Sequence, residues 1–174
     1  MYSLLTIGWI IYSVYFSMKR GFKLEAMVFG GYLLSGLLAA FLYPMLWRML
    51  SLYIPYSSVT NEKPFYFYPD INVFKIENSF YKIVTFMIFY FILCLIIRFI
   101  EVFIKDVQFA ESSESLKIVT GIMGFITAIF GAYLIFSALS MIPLSGLQNS
   151  LKHSISVNIL VKGPLSWLFN QLWF

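Results

Sequence analysis

"MKRGFKLEAM", residues 18–27, sets Lys19, Arg20, Lys23 and Glu25 between two almost uncharged stretches. Before it runs "YSLLTIGWIIYSVYFS" and after it "VFGGYLLSGLLAAFLYPML". An apolar run, a short basic break and a second apolar run form the pattern of two membrane spans joined by a turn. Composition agrees with that reading. The chain is 60% hydrophobic and 11% charged, against roughly 45–50% and about 25% in soluble domains. So few charges cannot cover a soluble surface, and the apolar faces are expected to meet lipid. The net charge of +4 forms no basic stripe outside the apolar runs, which argues against nucleic acid and fits loops beside anionic headgroups.

A span takes about 20 mainly apolar residues. Four segments qualify, at 2–18, 26–47, 80–104 and 118–142, the last closed by Pro143. None alternates with the period of a barrel strand. The expected fold is an all-α membrane protein of one domain, 1–174, with four transmembrane helices and a C-terminal amphipathic interfacial helix. The first run has no Lys or Arg before its core and no small-residue cleavage site after it, so it reads as a retained helix rather than a signal peptide. Lys19, Arg20 and Lys23 crowd one short turn, which places that turn in the cytoplasm and the N-terminus outside. Over the whole chain the bias vanishes: Arg98, Lys105 and Lys117 join the inside, while Arg48, Lys63, Lys75, Lys82, Lys152 and Lys162 fall outside. The early cluster decides, because the rule acts through short loops and the first helix usually leads.

The connection at 51–79 is then external and long, with Pro55, Pro64 and Pro69. Its aromatics, Tyr53, Tyr56, Phe65, Tyr66, Phe67, Tyr68 and Phe74, suit the headgroup level, where a ring is half buried and a hydroxyl stays wet. The loop is expected to lie on the outer membrane surface. The cytoplasmic loop at 105–117 is polar, with Asp106, Glu111 and Glu114 near the start of the fourth span. Ser112 or Ser113 is placed to cap that helix, and acids there complement its dipole. The tail at 150–174 carries Leu165, Leu168, Phe169, Leu172 and Trp173 at i, i+3, i+4, i+7 and i+8. That stripe, opposite Ser166, Asn170 and Gln171, predicts a helix lying along the interface, with Pro164 in its first turn.

Helices in lipid associate by close packing, so small residues four apart mark seams. The second span has Gly31, Ser35 and Ala39; the fourth has Thr120, Gly124, Ala128 and Ala132. These ladders predict a close seam between spans two and four. Charges inside spans are costly and are candidates for function by default. Arg98 and Glu101 lie three apart on the third span, with Lys105 beyond them, near the inner end where arginine can snorkel and the pair can neutralise itself.

"RGFKLE", Arg20–Glu25, followed by "AMVFGGYLLSGLLAA", resembles the first signature of the colicin V production protein (CvpA) family. Members carry Arg-Gly-Phe, two variable residues and Glu at the turn into the second span, then a small-residue ladder with a late alanine. The matching positions here are Arg20, Gly21, Phe22 and Glu25. The fourth span is similar to the family's Arg–x–Leu–Gly motif and its glycines four apart, with Lys117 for the arginine, Thr120 for the first glycine and Ala128 for a later one. "PLSGLQNSLKHSISVNILVKGPL" is similar to the family's tail, its Ser and Pro matched by Ser154 and Pro164. The 51–79 loop is longer than in compact members. The resemblance implies a bacterial inner-membrane protein linked to toxin production or export and to envelope integrity, with no catalytic residues to carry over.

The residues themselves offer little chemistry. His153 has no ligand set for a metal, and Cys94 has no partner for an intramolecular disulfide. No phosphate loop, HExxH or nucleophile elbow occurs. No enzyme activity and no cofactor are expected. Partners are expected to be the lipid bilayer, other membrane proteins or a second copy of the chain. The alternative is a small transporter or channel component with a polar path at Arg98 and Glu101, joined by Arg20 or Glu25.

Overall fold

A single glycine separates the first two helices. In the computed structural model, which describes residues 2–56, 65–104 and 113–174, α1 (Tyr2–Arg20) ends on its basic pair and α2 (Phe22–Tyr53) begins two residues later. Gly21 sits at φ 79° and ψ 154°, a region that side chains exclude almost completely. Its carbonyl accepts the Glu25 N–H at 3.1 Å and so closes the first turn of α2. Gly21→Ala is therefore expected to lose about 1–3 kcal/mol, read as a lower midpoint in detergent-micelle unfolding. An unchanged midpoint would mean that the turn relaxes freely.

Two further long helices and three short ones follow among the described residues: α3 (Val73–Ile104), α4 (Glu114–Ser140), α5 (Ser145–Lys152), α6 (Ile155–Lys162) and α7 (Pro164–Trp173). No strand forms among the described residues. α2, α3 and α4 are long and apolar enough to cross a membrane. Each overruns or shifts from its apolar window, because capping and packing, not hydropathy, set where a helix stops. α2 continues through Pro44 to Tyr53, and α3 starts at Val73, so the connection expected at 51–79 narrows to 54–72. Ser113 occupies the N-cap of α4, but its hydroxyl makes no capping bond; Glu114 stands in the first turn as expected. Lys63, Pro64, Lys105, Asp106, Glu111 and Ser112 lie outside the described residues.

Pairing of the helices corrects the expected seam. α1 runs along α4 and α2 along α3, while α2 and α4 share a smaller contact. Each small-residue ladder faces a different partner. A Cβ on Gly31 would reach Ile97 of α3 at 2.9 Å, and one on Gly124 would meet the Ser17 Cβ of α1 at 2.7 Å. Periodicity marks the face of a helix that packs closely; it does not name the helix opposite. Ala39, Thr120, Ala128 and Ala132 are buried, and buried Ser35 returns its hydroxyl to the Gly31 carbonyl at 2.8 Å.

The end of the bundle remote from Gly21 is closed by the chain itself. Phe65, Phe67 and Tyr68 of the long connection are buried against Met141, Leu151 and Val157, whereas a membrane-surface position was expected for them. Gln148 ties this segment down. It accepts the Tyr66 N–H and donates to the carbonyls of Ser140 and Ile142. Tyr56 donates its hydroxyl to the Met141 carbonyl. Burial pushes the Tyr68 hydroxyl up to about 12, with a hydrogen bond from Ser140 acting against it. Tyr53 and Phe74 do stay exposed.

The helix expected from Pro164 forms as α7, and within the tail at 150–174 it is preceded by the end of α5 and by α6. Pro164 lacks an N–H and disfavours helical backbone in the residue before it; Gly163 is accordingly extended, at φ −82° and ψ −170°. A side chain at Gly163 would collide with the Ile159 carbonyl, so the break also needs glycine. α7 packs on α3, with Phe169 against Phe130 and Tyr133. The side chains of Leu168 and Asn170 lie outside what is described. Trp173 is wholly buried among Tyr43, Phe86 and Tyr133, so α7 presents the end of its apolar stripe to protein rather than to lipid.

Candidate functional site

At the Gly21 end, four charges from three helices form an alternating chain. Glu25 of α2 accepts from Arg20 of α1, Oε2 to Nη1 at 3.1 Å. Arg20 Nε approaches Glu101 Oε1 of α3 at 2.9 Å. Glu101 Oε2 in turn accepts from Arg98 Nη1 at 2.9 Å, one helical turn back. The order Glu25–Arg20–Glu101–Arg98 is neutral overall, as burial in apolar surroundings demands. Exposure falls steeply along it: the Arg98 side chain is 41% exposed, Glu101 12%, Arg20 9% and Glu25 2%.

Sequence chemistry accounts for each placement. Arg20 is the last residue of α1, and its guanidinium lies 4.5 Å from the Phe16 ring, a turn earlier on the same helix, which holds it over a π face. Glu25 is fixed in the first turn of α2 by the Gly21 carbonyl and takes a second hydrogen bond from the Ser17 hydroxyl at 2.8 Å. Arg98 lies 5.5 Å from the Tyr32 ring of α2. Arg20 Nε is buried and its contact with Glu101 is an ion pair without hydrogen-bond alignment. Arg20 thus serves two carboxylates while aligned with one.

Beside this chain lies a cleft of about 360 Å³. Trp9, Tyr12, Ser13, Phe16, Ser17 and Arg20 of α1 form one wall, Glu25 and Tyr32 of α2 with Arg98 of α3 the other, and Thr127 of α4 completes the lining. Trp9, Tyr12 and Phe16 are at the same time exposed on the outside of the bundle, so the cleft reaches its lateral surface. It exists because α1 leans on α4 and meets α2 sparsely. Among the described residues no three His, Cys, Asp or Glu side chains gather to hold a metal ion.

The expected turn residues Arg20, Gly21 and Glu25 and the expected pair Arg98 and Glu101 therefore meet in one place. Phe22 is half-buried next to them. Gly31 and Gly124 lie at seams, Ser35, Ala39, Thr120 and Ala128 in buried positions. Sequence reading missed the Arg20–Glu101 link, Ser17 and the aromatic wall of α1. One signal was available: both charge pairs fall at the same end of their spans, where a bundle brings them to equal depth.

Ser17 couples the seam to the site. Gly124 of α4 lies so close to α1 that an added Cβ would strike the Ser17 hydroxyl and come within 3.0 Å of the Ser13 carbonyl. Ser13 also donates to the Gly124 carbonyl at 2.9 Å. Gly124→Ala is expected to push α1 outward and lose about 1–3 kcal/mol, whereas Gly131→Ala, with nothing within 4 Å of its Cβ, should be neutral. Micelle unfolding of the two variants checks this, and equal midpoints would sink the close seam.

A family model described as "Colicin V production protein" matches residues 2–164. No curated protein and no solved structure matches the chain. The match covers the Gly21 turn, both charge pairs and the helices that position them, and the chain belongs to the colicin V production protein family, which is not known as an enzyme family.

Proposed function

We propose that this chain is a four-span protein of the bacterial inner membrane, its N-terminus outside and its Gly21 turn in the cytoplasm. Its role is that of an accessory to toxin production or export and to envelope upkeep, exerted by engaging other membrane proteins without catalysis of its own. α1 has 19 residues, about 28 Å at 1.5 Å per residue, close to the roughly 30 Å of a bilayer core. The observation that carries the accessory reading is the pairing of both carboxylates of the charge chain with arginines inside the bundle, so it braces three helices rather than presenting a reactive acid or base. Outside it, α1 to α4 expose long apolar faces, among them Leu4, Leu37, Phe41, Leu95 and Phe99, which suit lipid or partner helices.

In cells lacking the protein, Glu25→Ala is expected to restore toxin export and envelope resistance less well than Lys23→Ala at matched protein level. Lys23 is exposed, whereas Glu25 holds α1 to α2. Equal restoration by both would reduce the basic turn to a topology anchor. The cleft beside the ion chain favours a second reading, a small transporter component. Solute flux into liposomes containing the purified protein, lost on Glu101→Gln, would establish it; copurification of specific membrane proteins without flux supports the accessory role.

A further inference from the structure

We infer that the cleft between α1 and the α2–α3 pair is a binding site for an anionic phospholipid, with the lipid phosphate on Arg98. Its lining is graded along its length. Charged groups, Arg20, Glu25 and Arg98, sit at the Gly21 end, and Phe16, Tyr12 and Trp9 follow along α1. From Arg20 to Trp9 is eleven residues, about 16 Å of helix. A headgroup at a membrane surface followed by glycerol and acyl chain towards the midplane has that same order. A free phosphate would use only the charged end.

Arg98 is the residue with capacity to spare. It ends the ion chain, its side chain is 41% exposed, and among the described residues it pairs with Glu101 alone. A guanidinium has five N–H donors, so its remaining donors can meet a phosphate in the bidentate manner that arginine favours. Glu25 also borders the cleft but does not repel an anion there strongly, because its oxygens are engaged by Arg20 and Ser17. Tyr12 adds a hydroxyl along the wall. The cleft of about 360 Å³ falls within the roughly 300–1,000 Å³ of small-molecule pockets, room for a headgroup and the start of a chain, and it opens on the lateral surface at Trp9 and Tyr12, where the rest of a lipid lies in the bilayer. Under the proposed orientation the site faces the inner leaflet, whose anionic headgroups the exposed Lys19 and Lys23 also attract. The inference stands apart from the accessory role and does not require it.

The test uses the full chain in mixed micelles with phosphatidylglycerol or phosphatidylcholine brominated in the acyl chains. Trp9 quenching is taken as the difference between the unaltered protein and Trp9→Phe. Phosphatidylglycerol is expected to quench Trp9 at a mole fraction about fivefold lower, the factor that one cation near an anionic headgroup supplies. Arg98→Gln should erase that preference, Arg98→Lys should keep part of it, and Lys23→Gln should leave it intact. Equal quenching by both lipids in the unaltered protein would overturn the site, as would a preference that survives Arg98→Gln or that Lys23→Gln removes equally. Loss of the preference in millimolar inorganic phosphate would overturn the lipid in favour of soluble phosphate. If Arg98→Gln loses its helical circular dichroism, the lipid comparison in the unaltered protein and in Arg98→Lys decides.

Discussion

Arg20→Ala is expected to destabilise the protein by about 3–5 kcal/mol, the cost of removing one partner from a buried ion network. The guanidinium sits between two carboxylates on different helices, Glu25 at 3.1 Å and Glu101 at 2.9 Å. Without it, Glu101 retains Arg98, but Glu25, 2% exposed, keeps the Ser17 hydroxyl and no cation among the described residues. The unfolded chain in a mixed micelle can hydrate that carboxylate, so refolding must bury it uncompensated. Arg20→Lys should recover part of the loss, since a single ammonium cannot span both acids as a planar guanidinium does. Arg98→Ala should cost much less, about 0–1 kcal/mol, because that side chain is substantially exposed and water replaces its half of the pair. Unfolding midpoints in a graded detergent titration measure all three. Equal losses for Arg20→Ala and Arg98→Ala would mean that the network carries no more weight than a surface pair.

How much of this could be read from residues alone depends on whether the signal is local. The turn at Arg20–Glu25 is local: α1 has just ended, the chain must reverse in one residue, and glycine alone tolerates φ 79° at Gly21. The apolar runs of α2, α3 and α4 are local as well, since an uninterrupted stretch of lipid length has few alternatives to a helix. The position of Arg98 opposite Tyr32 is not local, nor is the bridge from Arg20 to Glu101. Both follow from which helices pair, and a ladder of small residues is equally compatible with any neighbour. Gly124 reads the same whether it meets α1 or α2; only the fold places Ser13 and Ser17 against it. The buried aromatics at Phe65, Phe67 and Tyr68 were ambiguous for a related reason. An aromatic cluster between spans suits a membrane interface and a protein-capped bundle alike, and the choice rests on Gln148, more than 80 residues later in the chain.

Trp173→Ala is the other substitution expected to cost about 3–5 kcal/mol, the range for emptying a tryptophan site in a packed core. On sequence its stripe fits a helix resting on lipid, where truncation would cost little, so the magnitude separates the two placements. The indole is fully buried and meets Tyr43 and Phe86 edge-on, with ring centroids 5.6 and 5.3 Å away. Its N–H donates to the Tyr133 hydroxyl at 3.4 Å. The backbone is held too: the Trp173 carbonyl accepts from Ser79 and Lys82, each at 2.9 Å, and the neighbouring Leu172 carbonyl accepts from Tyr43 at 3.0 Å. α2, α3 and α4 each contribute a contact to this one residue. Its loss would leave a void that rigid helices close poorly, and it would release α7 from the bundle. Trp173→Phe should cost distinctly less, since it keeps an aromatic ring in the site and loses the weak indole bond. Trp167, 77% exposed on the same helix, supplies the control, and Trp167→Ala should leave the midpoint nearly unchanged. If the alanine variants at 167 and 173 shift it equally, α7 rests on the membrane surface and does not brace the bundle.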